Sequence, residues 1–308
     1  MTEFFWRMPF YSLIEPWWVT PRNLLGLPTY GPARLTLGRP RMSRIVDAVN
    51  APFAPVRAYF RKHRSFGIFV GVVLLSVALP LLTRVPPFDG IQSTNAWVNA
   101  FTTAAIYAML AMGLNVVIGF AGLLDLGYAA FFALGGYTYA LAASPFSGIH
   151  LPFWPMLLAG GIVGAIFGVL LGAPTLRLRG DYLAIVTLGF GEIVRLVVLN
   201  STWSKGPNGI ANVPMPPDIG PLKFKLDDQK VFFWVVIIMI LLTIWMIRRL
   251  SIRRPGRAWE AIRQDEDAAE LMGIATLKYK IWSFTLGAAV GGAAGVLYAS
   301  KNLFIAPE

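Results

Sequence analysis

The 308-residue sequence contains no cysteine, only two histidines and few charged residues. The absence of cysteine excludes a disulfide, a thiolate nucleophile and a cysteine-ligated metal. The two histidines, His63 and His150, are far apart in the sequence, which argues against a metal site. Charged residues make up 14% of the chain, well below the ~25% of a typical soluble domain. Together with long uncharged runs, this shortage predicts a membrane protein.

The signatures of several enzyme classes are also missing. The sequence has no Gly-Lys dipeptide, and therefore no phosphate-binding P-loop. It has neither a G-x-S-x-G nucleophile motif nor an H-E-x-x-H zinc motif. We therefore predict that the chain is not an enzyme, carries no cofactor of its own and does not itself bind and hydrolyse ATP.

What the sequence does contain is a series of apolar runs, and ~20 apolar helical residues can cross a bilayer. The longest run, residues 96–143, has Asp125 as its only charge, and we expect it to break in GFAGLLDLG (119–127), where three glycines interrupt it. The prediction is an all-α polytopic membrane protein with about seven transmembrane helices. The spans are residues 66–83, two within 96–143, then 152–172, 182–200, 231–247 and 281–299.

Basic residues are unevenly distributed among the predicted loops. With the N-terminus inside and the spans alternating, the inside segments contain 20 Lys or Arg and the outside segments contain 6. The positive-inside rule then predicts a cytoplasmic N-terminus and a cytoplasmic loop at residues 248–280. Orientation also explains the net charge of +11, so we predict contact with membrane lipid and no nucleic-acid partner.

The chain divides into an N-terminal arm, residues 1–65, and a transmembrane domain, residues 66–308. The arm holds ten Lys or Arg against three Asp or Glu, with tryptophans at positions 6, 17 and 18. Such a composition suits a membrane surface, but a flexible cytoplasmic extension has the same composition. Both interpretations remain open at the level of sequence.

Two predicted spans carry glycines at every fourth position. Residues four apart share one helix face, so such a stripe lets a neighbouring backbone approach closely. The alternative is that glycine is simply common in membrane helices. Because the glycines are in register, we predict helix packing at Gly160, Gly164, Gly168, Gly172, Gly287, Gly291 and Gly295.

Polar residues inside the spans are candidates for a structural or functional role, because charges are rare within the membrane. On a helix beginning near Asp181, Glu192 and Arg195 lie roughly 16 and 21 Å along the axis, where a charge facing lipid is costly. Their three-residue spacing allows them to pair. Either they form a buried structural ion pair, or they line a polar path. Asp125 is either a loop residue or part of a discontinuous helix, and Asn115 is a further polar candidate.

The segment GRAWEAIRQDEDAAELMGI (256–274) lies within the inside loop. Four apolar residues recur at helical spacing between charged ones: Trp259, Ile262, Ala269 and Met272. This pattern predicts a short amphipathic helix beside the membrane. A helix resting on headgroups and a docking helix for a partner protein both fit the pattern.

Four stretches resemble the LivM-type membrane subunit of branched-chain amino acid importers, which are ABC transporters. They are GLNVVIGFAGLLDLGYAAFFALGGY (113–137), LRGDYLAIVTLGFGEIVRLVV (178–198), GPNGI (206–210) and residues 256–274. Within the last, DAAELMG is similar to the E-A-A-x-x-x-G core of a coupling loop, with Asp for Glu. The resemblance assigns coupling to an ATPase to six residues: Trp259, Ile262, Asp267, Ala268, Ala269 and Gly273.

The resemblance also implies the rest of the machine. It implies a second, LivH-like permease, two cytoplasmic ATP-binding subunits, a periplasmic substrate-binding protein and a location in the bacterial inner membrane. Family members usually continue through further spans after the position where this chain stops, so we expect a C-terminally truncated protein.

We therefore predict a permease subunit of an ATP-driven importer of branched-chain or related hydrophobic amino acids. A permease for urea or short amides is the alternative within the same family. A secondary transporter or channel, which would need no ATPase, is the alternative from another class. An intramembrane enzyme is disfavoured, since no paired nucleophile and base is present.

Overall fold

The computed structural model describes residues 94–145, 148, 150–176, 181–218, 224 and 230–307, together with residues 71 and 73. All of these belong to one compact unit, His63–Glu308. The arm predicted for residues 1–65 and nearly all of the span predicted for residues 66–83 lie outside the described residues.

The described chain is almost entirely helical. Its α-helices are α1 (Thr94–Asn115), α2 (Ala129–Ala143), α3 (Phe153–Thr175), α4 (Asp181–Asn200), α5 (Lys230–Ser251), α6 (Arg254–Gln264), α7 (Glu266–Leu271) and α8 (Thr276–Asn302). A π-helical segment (Val116–Phe120) extends α1, and a 3₁₀ turn (Gly206–Asn208) precedes two short strands, β1 (Ile210–Ala211) and β2 (Phe304–Ile305).

Within the described ranges, five helices are long and apolar enough to cross a membrane, namely α1, α3, α4, α5 and α8. A sixth, α2, is apolar but has only 15 residues. These helices coincide with the six predicted spans that fall in the described part of the chain. The prediction of an all-α polytopic membrane protein is therefore confirmed.

The predicted break in the long apolar run is also confirmed. The π-helical segment ends at Phe120, and helical geometry resumes only at Ala129. Gly122 has a φ of +72°, a conformation that glycine adopts without the steric cost of a side chain. Short π-helical segments are rare and are often found at functional sites.

The central helix of the described bundle is α8, which contacts α1, α2 and α3. On one face it meets the glycine stripe of α3. A Cβ added at Gly164 would lie 2.3 Å from the carbonyl oxygen of Ala288, and one added at Gly168 would lie 2.7 Å from the Cβ of Ala288. The absence of side chains at Gly164 and Gly168 therefore lets the two backbones touch, and in a membrane such packing contacts help to drive association.

The second predicted stripe faces a different neighbour. A Cβ at Gly287 would lie 2.7 Å from the Cγ2 of Val117, and one at Gly295 would lie 2.0 Å from the carbonyl oxygen of Phe132. Gly291 contacts the ring of Tyr128, whose hydroxyl donates to the carbonyl oxygen of Gly287 at 2.7 Å. The two stripes therefore do not pack on each other.

Loop contacts define two ends of the bundle. One end carries residues 248–280, the segment predicted to be cytoplasmic and to couple to an ATPase, and we label them the inner end and the coupling loop; there α6 lies against the π-helical segment. At the opposite end, labelled the outer end, β1 pairs antiparallel with β2. The carbonyl oxygen of Pro214 there accepts hydrogen bonds from the hydroxyls of Tyr139 and Ser300. Segments predicted to share a side of the membrane are thus found at the same end.

Candidate functional site

The coupling loop is two helices rather than the single amphipathic helix expected over residues 256–274. Asp265 has an extended backbone (φ −158°, ψ 115°), so α6 stops at Gln264 and α7 starts at Glu266. The Asp265 carboxylate accepts a hydrogen bond from the backbone N–H of Ala268 at 3.0 Å. This bond satisfies one of the unpaired donors of the first turn of α7. A single residue therefore separates the two helices and caps the second.

Half of the residues predicted for coupling are buried. Trp259, Ile262 and Ala269 are each no more than 5% exposed. The indole Nε1 of Trp259 donates to the carbonyl oxygen of Tyr279 at 2.8 Å, and its ring lies 6.4 Å from that of Phe120. These contacts anchor α6 to the beginning of α8 and to the π-helical segment.

The other half, Asp267, Ala268 and Gly273, are exposed. Met272, which the pattern placed on the same apolar face as Trp259, Ile262 and Ala269, is 84% exposed, and its neighbour Leu271 is 88% exposed. The reason is that α7 ends at Leu271 and the chain turns at Gly273, which has a φ of +82°. The loop therefore presents two exposed apolar side chains, Leu271 and Met272, which we call its tip. The buried residues Trp259, Ile262 and Ala269 form its base. Nothing in the sequence distinguished Leu271 from the many other leucines.

An ion pair ties α7 to the central helix. The Nζ of Lys280 lies 2.5 Å from the Oε1 of Glu266. The side chain of Lys280 is 3% exposed and that of Glu266 is 32% exposed, so the pair is largely shielded from water. The sequence analysis did not single out these residues, because fourteen positions separate them and they lie on different helices.

The predicted pair on α4 is formed. The Nε of Arg195 donates to both carboxylate oxygens of Glu192, at 3.1 and 3.3 Å, and Nη2 donates to Oε1 at 3.1 Å. The described chain does not bury it, however, since the side chains are 48% exposed for Arg195 and 53% for Glu192. The pair is therefore not buried within this chain, and both predicted roles, a structural ion pair and the lining of a polar path, stay predictions. The buried residues of α4 lie on another part of the helix, at Leu183, Ala184, Thr187 and Val198.

The Glu192–Arg195 pair borders a groove between α2 and α4, which we call the α2–α4 groove. It has a volume of about 250 Å³. Its wall on the α2 side consists of small residues and one aromatic, and Ala306 and Pro307 lie at its outer end. The lining residues are Leu126, Gly127, Ala129, Ala130, Ala133, Tyr137, Leu188, Gly191, Glu192, Val194, Arg195, Val198, Ala306 and Pro307.

Asp125 lies in the non-helical segment 121–128 and is only 3% exposed. Its Oδ1 accepts a hydrogen bond from the N–H of Gly127 at 2.9 Å, while its buried Oδ2 makes no hydrogen bond within the part of the chain that the structure describes. The next residue, Leu126, donates its N–H to the hydroxyl of Thr187 at 3.0 Å. Asp125 is therefore buried beside α4 and is not a solvated loop residue.

Asn115, the remaining polar candidate, lies elsewhere. It lines a cavity of about 560 Å³ at the inner end, between the end of α1, the end of α5 and α6. The other lining residues are Gly119, Phe120, Ser251, Gly256, Glu260 and Arg263. The structure thus places Asn115 beside the coupling loop and apart from the α2–α4 groove.

The bundle of long apolar helices defines a polytopic membrane protein. Residues 96–308 match the family described as the branched-chain amino acid transport system permease component. The chain belongs to this family.

Two curated relatives carry the name "high-affinity branched-chain amino acid transport system permease protein LivM". The one from Escherichia coli K12 is 42% identical over 256 residues, which cover 76% of this chain and 59% of the relative. The one from Salmonella typhimurium LT2 is 43% identical over 294 residues, covering 88% and 66%. The chain therefore spans about 59–66% of the length of these relatives.

More distant similarity extends to other import systems. The autoinducer 2 import system permease protein LsrC of Klebsiella pneumoniae is 25% identical over 247 residues, covering 79% of this chain and 66% of the relative. The LivH permease of Escherichia coli K12 is 24% identical over 224 residues. No solved structure matches the chain.

Proposed function

We propose that the chain is a membrane-spanning subunit of an ATP-driven importer of branched-chain amino acids. The two LivM relatives are named for this transport. In this proposal the chain forms one half of the conduit, beside a second, LivH-like permease in the bacterial inner membrane. A periplasmic binding protein delivers the substrate, and two cytoplasmic subunits hydrolyse ATP with Mg²⁺. The chain's own residues provide the path and the contact with the ATPase.

The observation that carries this proposal is the exposed tip of the coupling loop. Leu271 and Met272 are 88% and 84% exposed at the inner end of the bundle. Exposed contiguous apolar surface beside polar residues marks an interaction site for a protein or a membrane. We infer that they fit an apolar recess on the ATP-binding subunit, while the exposed Asp267, Ala268 and Gly273 lie around this contact.

The base of the loop is suited to transmitting movement. The indole of Trp259 is hydrogen-bonded to the backbone of α8, and Glu266 is paired with Lys280 of the same helix. A displacement of the tip by a closing ATPase would therefore be passed to α8, the helix that contacts α1, α2 and α3. In this proposal, a few short contacts therefore connect the ATPase to the helices that form the membrane path.

The decisive experiment is co-purification of the ATP-binding subunit with the permease pair. We expect Leu271→Asp together with Met272→Asp to leave the permease in the membrane and to release the ATP-binding subunit. The matched control is Ile252→Asp. Ile252 directly follows α5, lies outside the tip and is also exposed, at 71%. Equal recovery of the ATP-binding subunit with the double variant and with the wild type would contradict the docking assignment.

Uptake by the reconstituted complex then tests the transport class and the substrate. Leucine uptake that requires ATP and the binding protein is the expected result. Uptake without ATP would indicate the secondary transporter or channel, and ATP-driven uptake of urea or short amides in place of leucine would indicate the other branch of the family.

A further inference from the structure

We propose that the α2–α4 groove is a transient binding site for a zwitterionic α-amino acid with an apolar side chain. Arg195 faces the carboxylate of the substrate, and Glu192 faces its ammonium group. The proposal rests on the proposed function, because it assigns a chemical class of substrate to a site within the same pathway. It adds a recognition step inside the membrane to the recognition provided by a binding protein.

The first argument is the depth of the Glu192–Arg195 pair in the membrane and its exposure from the chain. Counted from the start of α4 at Asp181, the pair lies roughly 16–21 Å along the helix, within the hydrocarbon thickness. Its side chains are about half exposed from the chain, and charges at this depth avoid lipid and face protein or water-filled space. The groove beside the pair is such a space. A water-filled path therefore explains why the pair is not covered.

The second argument is the chemistry that the pair leaves available. The hydrogen bonds to Glu192 use Nε and Nη2 of Arg195, and guanidinium carries further N–H donors on Nη1. Arginine binds carboxylates strongly through two parallel hydrogen bonds. A carboxylate side chain likewise accepts several hydrogen bonds, which suits an ammonium group. Opposite charges three residues apart therefore complement the two charges of a free amino acid. Urea and neutral amides are uncharged, so their binding would not require such a pair.

The third argument is the apolar part of the groove. The small side chains of Ala129, Ala130 and Ala133 leave space along α2, and Leu188 and Val198 provide apolar surface on α4. Such a wall accepts a branched aliphatic side chain and offers no partner to a charged one. The charged pair therefore fits the zwitterionic end of a branched-chain amino acid, and the apolar wall fits its side chain.

An independent observation also indicates a ligand. Tyr137, at the lining of the groove, is 3% exposed, and its buried hydroxyl makes no hydrogen bond within the described residues. A buried hydroxyl without a partner costs free energy, and native proteins rarely leave one unsatisfied. A polar group or water that enters with the substrate would provide the missing partner.

The test uses the complete transporter and exploits the absence of cysteine from the chain. A single cysteine replaces Ala133 in the wall of the groove, and its rate of reaction with a small polar thiol reagent is measured with and without leucine. We expect leucine to slow this reaction. The control is Asn208→Cys in the 3₁₀ turn of the outer loop, which is exposed and outside the groove, and whose reaction leucine should leave unchanged.

Substrate analogues then separate the two charges. Leucinamide lacks the carboxylate and 4-methylpentanoate lacks the ammonium group, so each should protect Ala133→Cys less than leucine does. In the Glu192→Gln, Arg195→Gln double variant, protection by leucine should be lost and uptake per transporter should fall about tenfold or more, a change equivalent to ~1.4 kcal/mol. Protein level should stay near that of the wild type, since no lone charge remains.

The outcomes distinguish this proposal from the proposed function. If the wild-type complex imports leucine with ATP but leucine does not protect Ala133→Cys, or if the double variant retains both protection and uptake, the binding site is refuted and the transport function stands. If the wild-type complex does not import leucine at all, the proposed function itself fails.

Discussion

The guanidinium of Arg263 on α6 donates a hydrogen bond from Nη1 to the backbone carbonyl oxygen of Gly119 in the π-helical segment. The same side chain packs on Gly122, where an added Cβ would lie 2.9 Å from the Cγ of Arg263. From this contact the chain continues through Asp125 to Gly127, which touches the backbone of Thr187 on α4. Segment 119–127 thus joins the coupling loop to the helix that carries the Glu192–Arg195 pair.

We expect Arg263→Ala to uncouple ATP hydrolysis from transport. Removing the side chain leaves α6 anchored by Trp259 but breaks its contact with segment 119–127. Hydrogen bonds to charged groups contribute ~1.5–3 kcal/mol, and the exposure of this one places it at the lower end. The measurement is leucine imported per ATP hydrolysed, which should fall while hydrolysis continues. Arg257→Ala, which changes an exposed arginine on the same helix, is the control, and an unchanged ratio for Arg263→Ala would remove segment 119–127 from the coupling route.

Close packing between α3 and α8 should be sensitive to a single added methyl group. A Cβ at Gly292 would lie 2.2 Å from the carbonyl oxygen of Gly160, so Gly292→Ala requires the two helices to separate. Overpacking of this kind typically costs ~1–3 kcal/mol, and the amount of folded protein in the membrane should fall. Gly189→Ala on α4 is the matched control, because nothing lies within 4 Å of its added Cβ.

Thermal unfolding in detergent compares the two glycine variants directly. Gly189→Ala should keep or raise the unfolding temperature, since alanine in a helix interior is favoured over glycine by ~1 kcal/mol. Equal stability of the two variants would contradict the close packing of α3 on α8, which leaves only 2.2 Å between an added Cβ at Gly292 and the carbonyl oxygen of Gly160.

Glu266→Gln should destabilise the coupling loop, because it leaves the buried ammonium of Lys280 without its counter-charge. Removing one partner of a buried ion pair typically costs ~3–5 kcal/mol, and the partial exposure of Glu266, 32%, makes the lower value the better expectation. Proteolysis within the 248–280 loop should become faster. In the Glu266→Gln, Lys280→Met double variant the rate should return towards that of the wild type, and a rate as fast as in the single variant would assign the effect to another contact.

Ala269→Arg is expected to act through the fold of the loop. Ala269 is 4% exposed, so a long cation cannot be placed there without displacing α7 or burying an unpaired charge. Limited proteolysis of the permease alone should therefore already detect the change, before any partner is added. A variant that matches the wild type alone and fails only with the ATPase subunit would instead place Ala269 in the interface.

The sequence was sufficient for the features that depend on neighbours along the chain. Apolar length predicted the spans, the glycines of residues 119–127 predicted the break, and the spacing of Glu192 and Arg195 predicted their pairing. Each of these follows from helix geometry and the thickness of a bilayer, so no knowledge of the tertiary fold was needed.

Features that depend on distant parts of the chain were not predictable in this way. Arg263 and Gly119 are 144 positions apart, and neither has a local pattern that identifies the other. Periodicity placed Met272 on one apolar face with Trp259 and Ile262, because it cannot register that Asp265 interrupts the helix. The exposure of the Glu192–Arg195 pair likewise depends on which helices pack beside α4.

The topology can be tested with single cysteines, since the chain has none of its own. The bias of basic residues predicts that the 248–280 loop is cytoplasmic and the 201–230 loop periplasmic. Gln264 at the end of α6 and Asn208 in the 3₁₀ turn are both exposed, so burial would not limit the reaction of a cysteine at either position. In intact cells an impermeant thiol reagent should label Asn208→Cys and not Gln264→Cys, and permeabilising the inner membrane should make Gln264→Cys reactive. The reverse pattern would invert the orientation, place the Leu271–Met272 tip outside the cell and remove the basis for docking an ATPase there.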